Sequence, residues 1–140
     1  MSERVDKLCN SLHDHLNAVE NHLDQIKQRV STSGKETRAA IEAKTGEVRA
    51  RLDAQRQKVE KARADIKNRT EEKKVETIAK VEEWKANREQ HKLEKRADRG
   101  EEYAASCIII AADYVAEADL ATLEAIDARM LAEEFTAKRG

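Results

Sequence analysis

The stretch YAASCIIIAADYVAEADLATLEAIDARMLAEEF, residues 103–135, decides the fold. Tyr103, Cys107, Ile110, Tyr114, Ala118, Ala121, Ala125, Ala128, Ala132 and Phe135 step by fours and threes, the spacing of side chains that share one face of an α-helix. Ile108, Ala111, Val115, Thr122, Ile126 and Met130 form a second stripe, and Ile109, Ala112, Ala116, Leu120, Leu123 and Leu131 carry the apolar surface further round. A helix apolar over so much of its circumference is expected to be buried among others. Tyr103, Cys107, Ile110, Tyr114, Leu123, Ile126 and Phe135 are therefore the expected core and interaction residues. Asp113 and Glu117 interrupt the run, which leaves it short of the ~18 apolar residues that a membrane span needs.

The rest of the chain agrees with a helical reading. Its 140 residues include no proline, 39% are charged and 3% are aromatic, the profile of long helices and coiled coils. Sustained apolar periodicity with interleaved charge signs argues against disorder. No alternating run bounded by turn signals argues for a strand. The length suits one domain, a helical bundle over residues 1–140.

Upstream, Val5, Leu8, Leu12, Leu16, Val19, Leu23, Ile26 and Val30 give a first helix over residues 3–30 with a seam one row wide. Ser31-Thr32-Ser33-Gly34 then stops it. Gly34 is free to take positive φ, and Ser33 with Glu36 has the spacing of a capping box. Ile41, Thr45, Val48, Leu52, Gln55, Val59, Ala62 and Ile66 form a heptad row on a second helix, 35–67. Polar Thr45 and Gln55 are expected to set its register, and Gly46 lies in its interior. Residues 67–74 contain no apolar side chain, so the chain is expected to turn near Thr70, read as an N-cap. A third helix, 71–98, follows, with Val75, Ile78, Val81, Trp84, Arg88, His91 and Leu93 inward. Gly100 ends it as the usual left-handed residue, and a fourth helix covers 101–138, with Lys138 and Arg139 at its C-terminal end. The expected fold is all-α, an elongated antiparallel helical bundle or coiled coil. The alternative is one continuous helix over 35–98, giving three helices.

Charge is unevenly placed. Residues 1–34 carry 4 basic and 5 acidic side chains, residues 35–99 carry 20 and 14, and residues 100–140 carry 3 and 9. A basic middle and an acidic end are expected to pair, within the chain or between copies.

Chemistry-bearing patterns are sparse. Cys9 and His13 lie four apart and His15 and His22 seven apart, but converging three metal ligands from one helix is geometrically difficult. There is no Glu-x-x-His pair of the di-iron bundles, no nucleophile elbow and no phosphate-binding glycine loop. No catalytic, cofactor or metal residues are assigned, and the protein is expected not to be an enzyme. Acidic residues interleave through the basic middle, and only Trp84 there could stack on a base, so nucleic acid is not an expected partner. Two cysteines make no disulfide framework and are expected as buried free thiols. With a charged amphipathic N-terminus in place of a signal peptide, the expected compartment is cytoplasmic. The expected function is structural or protein–protein interaction through helix–helix association, as a homodimer or with another helical protein. The alternative is an amphipathic-helix coat on a lipid or granule surface.

Overall fold

The computed structural model describes residues 3–139, with side chains described through Ala137. Lys138 and Arg139 as C-terminal cations therefore lie outside the described side chains. The chain is an all-α helical bundle, with no strand among the described residues. Its elements are α1 (Glu3–Thr32), a single 3-10 turn (Ser33–Lys35), α2 (Arg38–Val75), α3 (Ile78–Ala86) and α4 (Gln90–Arg139). They fall into two compact units: the start of α1 through His13 with Gln57–Ile110, and Asp14–Arg56 with α4 from Ala111 onward.

The row on α2 is where its heptads place it. Ile41, Thr45, Val48, Val59 and Ala62 are buried, Leu52 and Ile66 are half-buried, and Gln55 is exposed. Thr45 returns its hydroxyl to the Ile41 carbonyl at 2.8 Å. It is satisfied within its own helix and specifies no partner. In the second unit Ile41 and Val48 pack with Leu123 of α4, and Leu52, Leu120, Ile126 and Met130 close the margins.

The ends of the helices differ from the expected ones. Ser33 donates its hydroxyl to the Arg29 carbonyl, and Glu36 pairs with Lys44, so Ser33 and Glu36 form no capping box. Thr37 caps α2 instead, its Oγ1 accepting from the Ala40 amide at 3.2 Å. Gly34 does not use positive φ; the 3-10 turn and the Thr37 cap redirect the chain.

Residues 67–74 do not turn, and Thr70 is not a cap. α2 continues through them because the next position of its row is taken by Arg69, which is buried. Thr70 folds its hydroxyl back to the Ile66 carbonyl at 2.9 Å. The break comes at Glu76-Thr77, where Thr77 Oγ1 accepts from the Lys80 amide at 3.2 Å and opens α3. Neither a long third helix nor an unbroken 35–98 helix forms.

α3 ends in a Schellman turn. The Glu89 amide donates to the Trp84 carbonyl at 2.9 Å and the Arg88 amide to the Lys85 carbonyl at 3.2 Å. The left-handed residue is Arg88, with φ of 51°, where glycine is usual. Gly100 lies inside α4, without positive φ. Glycine marks the cheapest place to stop a helix, and here the chain stops twelve residues earlier at a non-glycine.

A Cβ added at Gly46 or Gly100 meets nothing within 4 Å, so Gly46→Ala and Gly100→Ala should each stabilise by about 1 kcal/mol, read as a rise in the urea midpoint. Leu123 is fully buried; Leu123→Ala should cost about 2–5 kcal/mol, and Leu123→Glu should abolish the cooperative thermal transition.

Candidate functional site

Four features could carry function: a buried ion pair in each unit, a polar cavity in the first unit, and apolar rows left uncovered in the second.

In the second unit, α1 turns a row toward its own chain in which apolar and polar residues alternate. Val19, His22, Ile26 and Arg29 are half-buried and Ser33 is buried. Asp119 of α4 is 1% exposed and receives the cation. Arg29 Nη2 donates to Asp119 Oδ2 at 3.3 Å, while Arg29 Nε lies 3.0 Å from Oδ1 without the alignment of a hydrogen bond. His22 Nε2 stands 3.8 Å from the same carboxylate. Periodicity read on apolar residues alone misses these polar members of the row. The available signal was the seven-residue repeat of His15, His22 and Arg29.

On the opposite edge of α4, bases of α2 meet its acids. Arg38 Nε donates to Asp127 Oδ1 at 2.9 Å and its Nη1 lies 3.9 Å from Glu134, while Arg49 Nη2 donates to Glu124 at 2.7 Å. The expected pairing of basic middle and acidic end is thus made within the chain here.

In the first unit, Glu76 at the α2–α3 joint is held from two sides. Arg96 Nε donates to its Oε1 at 2.7 Å and Arg69 Nη1 to its Oε2 at 3.2 Å. Arg69 also lies 3.6 Å from Glu72, which Arg99 approaches at 3.7 Å. The Arg96 hydrogen bond, with Arg69, holds the Glu76 carboxyl below its ordinary range against the opposing effect of burial. A cavity of about 160 Å³ beside this network is lined by Asp65, Asn68, Arg69, Glu72, Arg99, Glu102 and Tyr103. Tyr103 carries Lys73 over its ring at 4.2 Å, and its phenol is raised above its ordinary value chiefly by its hydrogen bond with Cys107. The lining mixes both signs of charge, with Asp65, Glu72 and Glu102 beside Arg69 and Arg99.

The seven expected core and interaction residues separate. Leu123 is fully buried; Tyr103, Cys107, Ile110 and Ile126 are half-buried; Tyr114 is 61% exposed and Phe135 59%. From Tyr114 to Phe135 the first stripe, including Ala118, Ala121, Ala125, Ala128 and Ala132, faces outward. α4 therefore buries the face that carries Leu120, Leu123, Ile126 and Met130. Larger side chains remove more apolar area from water than alanine does, so weighting the stripes by side-chain size would have found that face. The thiols are free, Cys107 half-buried and Cys9 exposed rather than buried.

α1 has no buried residue at all. Leu16, Leu23 and Val30, seven apart, are 55%, 43% and 54% exposed. No group of three or more His, Cys, Asp or Glu that could hold a metal occurs among the described residues, and none of the described helices is long and apolar enough to cross a membrane.

Comparison with known proteins returns no match: no family model, no characterised sequence and no solved structure aligns significantly with the chain.

Removing one partner of a buried pair strands the other. Arg29→Ala should cost about 3–5 kcal/mol in urea denaturation, whereas Arg29→Met with Asp119→Leu should recover most of that loss. The folded Glu76 carboxyl titrates below its unfolded value, about 4.3. Its contribution is present above that pH and is lost as pH falls through the folded value. Glu76→Gln should therefore flatten the acid limb of stability below about pH 4.3, measured by denaturation from pH 6 downward.

Proposed function

We propose that this is a non-enzymatic structural or interaction protein that acts through helix–helix association and self-associates. The observation that carries the reading is α1. Its seam has eight apolar residues from Val5 to Val30, yet none is buried and Leu16, Leu23 and Val30 stay largely exposed. An ordered helix that half-buries Leu8, Leu12, Val19 and Ile26 but leaves Leu16, Leu23 and Val30 exposed presents an interaction surface. The outward row of α4 from Tyr114 to Phe135 adds a second uncovered face. Meanwhile Arg29, Arg38 and Arg49 are engaged by carboxylates of the same chain, which lowers the charge open to an anionic polymer.

A coat on a lipid or granule surface is the competing reading. A helix lying in a lipid interface favours a broad apolar face bordered by Lys and Arg. The exposed row of α1 is one residue wide, with Glu20 and Lys27 on its border. A second helix fits such a seam better than a bilayer does.

Sedimentation equilibrium should return a mass above 15.9 kDa at micromolar concentration, and flotation with liposomes should leave the protein at the bottom of the gradient. A monomer throughout that range would overturn self-association, and co-flotation would favour the coat.

A further inference from the structure

We infer that two copies of the chain associate through α1, antiparallel across a two-fold axis that passes beside Leu23. This rests on the self-association proposed above and names its surface and geometry.

The argument begins with which edge of α1 is free. In a helix whose apolar rows repeat every seven residues, one row and its flank face one neighbour, and the adjacent row and flank face another. The row of Val19 and Ile26 is half-buried, and its flank, His22 and Arg29, is turned to Asp119 of the same chain. The neighbouring row of Leu16, Leu23 and Val30 is exposed, and its flank carries Glu20 and Lys27, also exposed. Neither Glu20 nor Lys27 has an ion-pair partner among the described residues. α1 thus keeps one complete apolar row, with its charged border, unused by its own fold.

The occupant follows from symmetry and charge. A two-fold contact requires the surface to complement itself. The apolar row, Leu16, Leu23 and Val30, is symmetric about residue 23. The charged border, Glu20 and Lys27, is symmetric about a point half a residue further on, about 0.75 Å along the helix at 1.5 Å per residue. One antiparallel placement therefore satisfies both. Leu23 meets the partner's Leu23, Leu16 meets the partner's Val30, and Glu20 meets the partner's Lys27, each of the unlike pairs occurring twice.

Other placements are penalised. Sliding by one heptad sets Glu20 against Glu20 or Lys27 against Lys27, and a parallel two-fold pair puts the two charged borders on opposite sides of the contact, where Glu20 and Lys27 never meet. Like charges directly opposed disfavour a register more than unlike charges stabilise one. Asp24, one turn before Lys27, lies further round on the same side, so Lys27 stands between its own Asp24 and the partner's Glu20. The outward row of α4 lacks this match. Its border carries Glu117 and Glu124 with one base, Arg129, and Glu124 is already bound by Arg49.

Charge reversal tests the geometry on the full chain. Glu20→Lys and Lys27→Glu should each weaken the dimer by about tenfold or more at low salt, because each puts like charges together twice, and the loss should shrink in 1 M NaCl. The double variant Glu20→Lys with Lys27→Glu should return the dissociation constant to within about threefold of the unmodified protein, the signature of a direct pair. Leu23→Glu, at the centre of the contact, should abolish the dimer while circular dichroism keeps the helix content. A dimer indifferent to Leu23→Glu and to both single reversals would overturn α1 as the surface and leave self-association standing. Losses in both singles that the double variant does not repair would overturn the antiparallel register. An unmodified protein that is monomeric would overturn both proposals.

Discussion

A single narrow row on α2 sustains the second unit. With 3% aromatic residues and 39% charged ones, the chain has little large apolar surface to bury. What it has is concentrated where Ile41 and Val48 meet Leu123. A row one residue wide removes only modest area from water, and many remaining contacts are made by charged side chains. That explains why an arginine can occupy a buried position on α2 without ending the helix: Arg69 is inward and finds Glu72 and Glu76.

The buried ions set register more than they add stability. Desolvating Arg29 and Asp119 offsets much of their attraction, while mispairing them would strand a charge in the interior. The same logic holds at the α2–α3 joint, where Glu76 is shared between Arg69 and Arg96. In a core with so few distinctive shapes, a buried charge disfavours any alignment of helices that would strand it. The apolar rows left outside, on α1 and on α4, are the observation on which the proposed association with another helix rests.

Legibility varied with the kind of signal. The α2 row could be read almost residue by residue, because its apolar members repeat every seven positions. The end of α3 could not, because the left-handed position is filled by Arg88 and nothing in its identity marks it, while Gly100 advertises a stop that the chain does not take. The facing of α4 was ambiguous for the opposite reason. A helix apolar nearly all round carries no single preferred face, and the alanine stripe that its spacing picks out, with Tyr114 and Phe135 at its ends, is the exposed one. Asp119 was hidden because a carboxylate reads as a surface residue until its arginine is known, and that arginine is ninety positions away.

The sequence by itself determined the all-α class, the one-row seam of α2 and the opposed charge of the middle and end segments. These follow from local spacing and composition, and each turn of helix can express them alone. Only the tertiary structure decided which face of α4 goes inward, which polar residues of α1 are covered and where α2 gives way to α3. Each of those choices depends on a partner distant in the chain, and a side chain's periodicity carries no information about what it will meet.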